Sequence, residues 1–167
     1  MKGSLVKGLM AITILLMLPL SVKATAQTGD IIYIDGKKWS LLGKPLNYDD
    51  ELYTKLNEFL PTDREWSTAN WSGYTGCWEI VYGRLYLKEV IAYIYDDILK
   101  IHYEVTYDAN DLKELFAPYY TVHGISAEWY SNKDVTAGRG ECIRVINDAY
   151  DRSYADELVM TFEKGEV

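Results

Sequence analysis

The residue types that carry most enzyme chemistry are scarce or unpaired in this sequence. It has two histidines, His102 and His123, and neither lies in a catalytic motif. Nucleophilic catalysis needs a serine, threonine or cysteine within reach of a base, usually histidine, and the chain has no GxSxG nucleophile elbow. We therefore interpret both imidazoles as surface groups, His102 on the outward face of a strand and His123 at a strand edge.

Carboxylates are abundant, and a pair held roughly 5–10 Å apart could hydrolyse a glycosidic bond. The candidates are Glu79, Glu104, Glu128 and Glu141, and the first three fall at strand positions where a solvated acid is expected. No spacing marks a catalytic pair. A glycan-acting hydrolase is therefore an alternative hypothesis, and the leading interpretation is a protein that is not an enzyme.

Metal and phosphate sites are not indicated either. Residues 108–111 (DAND) begin like a calcium loop, but Leu112 stands where the next ligand belongs and the glycine of such loops is missing. Residues 138–140 (GRG) are too short for a phosphate-binding loop. Structural zinc needs four ligands, and the sequence has no CxxC spacing. We predict no cofactor and no metal.

Aromatic side chains are the unusual part of the composition. The chain has 15 tyrosines, 5 tryptophans and only 3 phenylalanines, so many rings are expected half-exposed. Tryptophan and tyrosine are also the preferred anchors of binding surfaces, for a sugar or for a protein. Strand periodicity favours core positions for Trp71, Trp78 and Trp129 and leaves Trp66 and Tyr74 open. The candidate ligand-binding residues lie in or near loops and strand ends: Trp66, Trp71, Tyr74, Trp129 and Tyr130.

Two cysteines, Cys77 and Cys142, leave two alternatives open. In an oxidising compartment they could form one disulfide, which would close a loop of about 65 residues and stabilise the fold by roughly 3–4 kcal/mol. Alternatively, they are two separate buried thiols, since free cysteine is among the most buried residue types.

The first 26 residues have the pattern of a signal peptide. Lys2 and Lys7 precede an apolar run, residues 9–20, that is shorter than the roughly 20 residues needed to span a bilayer. Residues 24–26 (ATA) supply the small-x-small pattern for cleavage after Ala26. A retained N-terminal anchor is the alternative. We expect an exported protein, periplasmic or secreted, that is not embedded in the membrane.

Residues 27–167 then form the predicted mature chain, long enough for a single globular domain with a real core. The leader holds three lysines and no acid, so its removal changes the net charge from −8 to −11. This acidity argues against binding to nucleic acid or anionic membranes, which require a basic face. It would suit an acidic inhibitor or immunity-type protein that blocks a basic enzyme, which is a further alternative.

Residues 71–107 predict an antiparallel meander of three strands. This meander is the central part of the structure that must position the candidate residues. Turn signals at residues 82–83 (YG) and 96–97 (DD) separate its runs, and a hairpin with a turn at residues 35–36 (DG) precedes it. The alternation of the second strand slips near residues 88–89 (KE). Either a bulge lies there, or the far half of the strand is covered on both faces.

The rest of the chain predicts two helices, residues 47–60 and 110–117, each followed by proline. Residues 131–140 have the composition of a polar loop. The sequence has no βαβ alternation, so it predicts an α+β, mainly β fold. This would be a curved antiparallel sheet or partly open barrel of about eight strands with two short helices packed on it. Besides the meander and first hairpin, the predicted strands are residues 122–130, 141–147 and 158–163.

One sequence pattern resembles small bacterial proteins of unknown function. It comprises residues 71–80 (W-x-G-Y-x-x-x-W-E-I) followed by 85–87 (L-Y-L), together with residues 128–130 (EWY) and 162–167 (FEKGEV). The resemblance spans most of the mature chain, departs from that family around residues 131–140, and implies no activity. The leading hypothesis is a non-enzymatic binding or interaction module whose partner is a protein or a glycan.

Overall fold

The computed structural model describes residues 27–145, 150 and 152–167, so the predicted signal peptide lies outside the described residues. The described part is mainly β, with nine strands, one α-helix and two short 3-10 turns, Pro45–Tyr48 and Ala117–Tyr119. The helix, α1, spans Asp50–Phe59. The strands are β1 Asp30–Ile34, β2 Lys37–Leu41, β3 Tyr74–Val81, β4 Arg84–Asp96, β5 Ile101–Asp108, β6 Tyr120–Thr121, β7 Gly124–Ser126, β8 Asn132–Val145 and β9 Arg152–Phe162.

All nine strands belong to one sheet that does not close into a barrel. Its order is β6-β7-β4-β3-β1-β2-β8-β9, and β5 also pairs with β4. The 13-residue β4 is central to the sheet. It pairs with β3 along one side, and along the other with β7 near its start and β5 over its second half. The predicted meander of β3, β4 and β5 is therefore confirmed.

The prediction of a wholly antiparallel sheet is wrong at one position. Strands β1 and β3 run parallel, from Ile31 opposite Cys77 to Tyr33 opposite Glu79. Parallel neighbours need a long crossover connection, usually a helix. Here β2 and α1 provide it, although the sequence suggested that α1 only packs on the sheet.

The predicted irregularity in the second meander strand is a bulge at Lys88. Cys77 lies opposite Glu89 and the next residue, Trp78, lies opposite Leu87, so Lys88 is an extra residue in β4. One extra residue reverses which side chains face the core. The core-facing residues of β4 are Leu85 and Leu87 before the bulge and Val90, Ala92 and Ile94 after it, all of them buried.

Helix α1 is shorter than predicted. Asp49 caps its N-terminus by accepting a hydrogen bond from the backbone N–H of Leu52 at 2.9 Å. Leu52 and Leu56 form its buried side. The preceding residues form a separate 3-10 turn starting at Pro45, so the helical segment is broken ahead of Asp49.

The second predicted helix is wrong. Residues 109–116 form successive turns, although Asp108 acts as the predicted cap and its carboxylate accepts from the N–H groups of Asn110 (2.7 Å) and Asp111 (3.0 Å). Leu112 and Phe116 are buried as expected. A segment this short gains little from helix propagation, and these turns already bury both apolar side chains.

Two further strand assignments are corrected by the structure. Residues 131–140 lie mostly in β8, which pairs with β9, and residues 122–130 hold only the short strand β7 and two turns. Gly138 was interpreted as a loop glycine. It lies in β8 against the ring of Tyr154, where an added Cβ would be 2.0 Å from a ring carbon. Its small size serves packing within the sheet.

A buried ion pair links β1, β3 and the segment before α1. Asp30 accepts hydrogen bonds from Lys44 Nζ at 3.1 Å, from Gly76 N at 3.0 Å and from Trp78 Nε1 at 2.9 Å. Lys44 Nζ also donates to the carbonyl of Tyr74 at 2.8 Å, and both charged side chains are almost wholly inaccessible to water. We call these five residues the buried polar cluster. A Cβ at Gly76 would be 2.7 Å from the Asp30 carboxylate, which explains the glycine.

Candidate functional site

The five aromatic candidates separate into exposed and buried sets. Trp66 is 60% exposed and Trp71 is 67% exposed, whereas Tyr74 and Tyr130 are buried and Trp129 is half-buried. The strand periodicity that favoured a core position for Trp71 was misleading, because β3 begins only at Tyr74. The structure therefore leaves Trp66 and Trp71 as surface candidates.

The other three candidates pack in the interior of the protein. Trp129 stacks on Phe116 with ring centroids 5.9 Å apart, and its Nε1 donates to the carbonyl of Pro45 at 3.1 Å. Burial raises the pKa of Tyr74 well above its ordinary value and that of Tyr130 to about 12. These phenols stay protonated at any physiological pH, and their rings fill space between elements.

Trp66 and Trp71 lie on the two arms of a small hairpin. At its tip Ser67 and Asn70 form an antiparallel bridge, with N–H···O distances of 3.3 and 3.1 Å. Trp66 directly precedes this bridge, and Trp71 directly follows it in a second turn, in which the N–H of Gly73 donates to the carbonyl of Asn70 at 3.3 Å. We call residues 64–73 the tryptophan hairpin.

Backbone hydrogen bonds attach the tryptophan hairpin to β4. The N–H of Glu65 donates to the carbonyl of Tyr93 at 2.7 Å, and the N–H of Tyr93 donates to Gly73 at 3.2 Å. Arg64 also forms a bridge with Ile94. The hairpin thus continues the sheet beside β4 where β3 ends, and its backbone is fixed by the same ladder.

Arg64 anchors the base of the hairpin to the end of α1. Its guanidinium donates to the side-chain oxygen of Asn57 at 2.9 Å and to the carbonyl of Pro61 at 3.1 Å, and it lies 5.7 Å from the Trp66 ring centroid. The residue is only 6% exposed, and burial lowers its pKa. Arg64 was not among the predicted site residues, because nothing in the neighbouring sequence marks a buried arginine.

The segment before β1 holds the tip of the hairpin. Gln27 Nε2 donates to the carbonyl of Thr68 at 2.6 Å, and Gln27 Oε1 accepts from the N–H of Trp71 at 3.4 Å. The N–H of Thr28 donates to Ala69 at 2.6 Å. With the contacts to β4 and α1, the hairpin is braced from three directions.

A cleft of about 290 Å³ lies beside the hairpin. Its floor is formed by β3 and β4, where Tyr93 Oη donates to Thr75 Oγ1 at 3.1 Å. Glu65 lines its wall, with Oε2 2.8 Å from Nδ1 of the exposed His102. The side chains that line this cleft, which we call the hairpin cleft, are Thr28, Glu65, Ser67, Asn70, Thr75 and Tyr93. None was a predicted site residue, because they meet only through the fold.

A second cleft, of about 320 Å³, contains Glu128, one of the acids considered under the hydrolase alternative. Arg84 occupies the same cleft and pairs with both Glu128, at 3.5 Å, and Glu166. Of the other acids considered, Glu79 pairs with Lys88 at 3.3 Å. Within the described ranges, no group of three or more His, Cys, Asp and Glu side chains could hold a metal ion.

The two cysteines are free thiols, Cys77 buried and Cys142 exposed. They lie on strands three steps apart in the order β3-β1-β2-β8. Three strand spacings of about 4.8 Å exceed the roughly 7 Å that a disulfide can bridge between Cα atoms. Burial, followed by the charge of Glu89, raises the pKa of the Cys77 thiol to about 12. Cys77 is therefore not a reactive nucleophile.

Comparison with protein-family models, with curated proteins and with solved structures found no match to this chain. The resemblance carried by residues 71–80 and 85–87 therefore stays a prediction. In the described part of the chain, no helix has both the length and the apolar character needed to cross a membrane.

Proposed function

We propose that this protein is an exported, non-enzymatic binding module that engages its partner, a protein or a glycan, through Trp66 and Trp71. The observation that carries the proposal is the exposure of two large rings on either side of a hairpin bridge, which hydrogen bonds to β4, α1 and the segment before β1 hold in place. The export signal of residues 1–26 supports a partner outside the cytoplasm.

The exposed rings provide a substantial driving force for association. A tryptophan side chain buries about 150–250 Å² when covered, and each buried Å² of apolar surface contributes about 25 cal/mol. Covering the exposed part of each indole would therefore stabilise a complex by roughly 3 kcal/mol. Tryptophan is also enriched among the residues that dominate binding energy in protein interfaces.

The bracing of the hairpin adds to this driving force. A partner that binds a flexible loop must also order it, and that ordering weakens the complex. Here the hydrogen bonds of Gln27, Arg64 and Glu65 already fix the backbone that presents the indoles. The hydrolase alternative has less support, since Arg84 neutralises Glu128 in the cleft where that acid lies.

The test is retention of a partner from envelope extract, together with binding to a glycan array, by the wild type and by Trp66→Ala, Trp71→Ala and the double variant. We expect each single change to weaken binding at least tenfold, the effect of losing an interface anchor of about 1.4 kcal/mol or more, and the double change to abolish it.

The matched control is Tyr82→Asn. Tyr82 is 93% exposed in the β3–β4 turn at a positive φ that asparagine accepts, so this variant removes an exposed ring elsewhere and keeps the turn. It should bind like the wild type. Undiminished binding by the double tryptophan variant would refute the proposal.

A further inference from the structure

The hairpin cleft presents hydrogen-bonding groups with free capacity. Ser72 Oγ lies 2.9 Å from Asn70 Oδ1 and 3.1 Å from the carbonyl oxygen of Tyr74, and in either orientation of the Asn70 amide at least one Nδ2 N–H has no partner among the described residues. Glu65 Oε2 is engaged by His102, whereas Oε1 has no partner in the part of the chain that the structure describes. Thr75, which is only 3% exposed at the floor of the cleft, accepts from Tyr93 and has no acceptor for its own hydroxyl proton among the described residues.

The lining mixes donors and acceptors and carries negative charge only. Four of the six lining side chains bear hydroxyls, one is an amide and one is a carboxylate. The neighbouring guanidinium of Arg64 is committed to Asn57 and Pro61. An anionic ligand needs donors and a cation and would instead meet Glu65, whereas a sugar hydroxyl both donates and accepts and suits this mixture.

We infer that the hairpin cleft binds an uncharged, hydroxyl-rich ring, either a free monosaccharide or the terminal sugar of a glycan. The volume, about 290 Å³, is at the lower end of the range for small-molecule sites and suits one ring. Glu65 Oε1 accepts from the sugar hydroxyls, and Asn70 Nδ2 and Thr75 Oγ1 donate to them. This site goes beyond the proposed function, because neither Trp66 nor Trp71 is among the residues that line it.

The test is an amide NMR titration of the ¹⁵N-labelled protein with methyl glycosides of glucose, galactose, mannose and N-acetylglucosamine. The methyl glycoside of glucuronic acid is the matched anionic probe, because it differs from that of glucose only at C6. We expect shifts at Glu65, Ser67, Asn70 and Thr75, a dissociation constant on the order of 1 mM for the best neutral sugar, and binding of the glucuronide at least about tenfold weaker than that of the glucoside.

Variants locate the interaction. Glu65→Gln replaces a charged acceptor by a neutral one. It should weaken binding of the best neutral sugar by about tenfold and reduce the difference in affinity between the glucoside and the glucuronide. Tyr93→Phe, which keeps the ring, should weaken binding severalfold, and the exposed Glu114→Gln should have no effect. An oligosaccharide ending in the preferred sugar distinguishes a free monosaccharide from the end of a glycan. If it binds with the same affinity as the methyl glycoside, the site recognises the single ring alone, and if it binds more tightly, the site recognises the end of a glycan.

Three results would overturn the inference: no sugar produces shifts at millimolar concentration, the glucuronide binds as tightly as the glucoside, or Glu65→Gln binds like the wild type. Shifts confined to the indole N–H signals of Trp66 and Trp71 would also overturn it and would leave the proposed function standing. Loss of envelope partners in the double tryptophan variant is a separate measurement, so the two proposals fail independently.

Discussion

The buried polar cluster and the tryptophan hairpin both depart from the usual placement of side chains, in which charged groups lie in water and large apolar rings lie in the core. In the cluster, charged groups lie in the interior, and Asp30 accepts three hydrogen bonds while Lys44 donates two. In the hairpin, two large apolar rings lie in water although a packed core lies close by. Buried charge is tolerated when it is paired and hydrogen-bonded, whereas exposed aromatic surface on a rigid element is typical of binding sites.

The difference suggests what each region is for. The cluster leaves little hydrogen-bonding capacity to a ligand and connects elements far apart in the chain, so we assign it to stability. The hairpin and its cleft leave rings, an amide and a carboxylate oxygen available, so we assign them to recognition. Each assignment predicts that a substitution in one region affects a property that a substitution in the other leaves nearly unchanged.

Lys44→Met should have the largest effect on stability. It leaves the Asp30 carboxylate buried without its cation, which typically costs about 3–5 kcal/mol. Urea unfolding measures the change in the free energy of unfolding. The control is Lys55→Met, because the pair of Lys55 with Glu51 is exposed and such surface pairs add little to stability. Similar losses in both variants would contradict the assignment of the cluster.

Gly76→Ala should come next. Its Cβ would lie 2.7 Å from the Asp30 carboxylate and 2.8 Å from Trp78 Nε1, so the cluster must shift, at a cost of about 1–3 kcal/mol. Gly43→Ala is the matched control, since no atom lies within 4 Å of its added Cβ and its φ is not positive. The same unfolding assay should place that variant within about 0.5 kcal/mol of the wild type.

Arg64→Lys should loosen the hairpin with a smaller effect on the whole fold. Lysine cannot reproduce the guanidinium fork that reaches Asn57 and Pro61, so the base of the hairpin loses its anchor to α1. Hydrogen exchange should show faster exchange of the Glu65 amide, which bonds to Tyr93, while the amides of β1 are unchanged. Unchanged exchange at Glu65 would show that the ladder to β4 alone holds the hairpin.

The smallest expected effect concerns the reactivity of the two cysteines. Because burial raises the pKa of Cys77 to about 12 and Cys142 is exposed, a thiol reagent at mildly alkaline pH should label one cysteine in the folded protein and two in denaturant. Above its ordinary pKa the unfolded Cys77 ionises while the folded thiol does not, so its contribution to stability falls as pH rises toward 12. Rapid labelling of two thiols in the native protein would contradict the burial of Cys77.

Local patterns in the sequence predicted much of the β-sheet. The change in alternation near Lys88 predicted either a bulge or a strand covered on both faces, and the structure has the bulge. Asp35–Gly36 forms the predicted turn, with positive φ at both residues. Patterns failed where the structure depends on distant partners. Gly138 has the composition of a loop and is needed beneath Tyr154, and the parallel pairing of β1 with β3 leaves no local mark.

The candidate site was harder to predict than the β-sheet, because it too depends on residues that are distant in the chain. Trp66 and Trp71 were among the candidates, but the hairpin that presents them depends on a bridge between Ser67 and Asn70, a pair without a strong turn signal. The hairpin cleft joins a residue before β1, the hairpin and two strands. Side chains so far apart in the chain meet only once the sheet order is known.

The central claim is that the hairpin's tryptophans serve recognition and not stability, and the most direct measurement compares both properties in one variant. For the Trp66→Ala, Trp71→Ala double variant we predict a free energy of unfolding within about 1 kcal/mol of the wild type and loss of the partner retained from envelope extract. A loss of stability as large as that of Lys44→Met, with partner retention intact, would contradict the account.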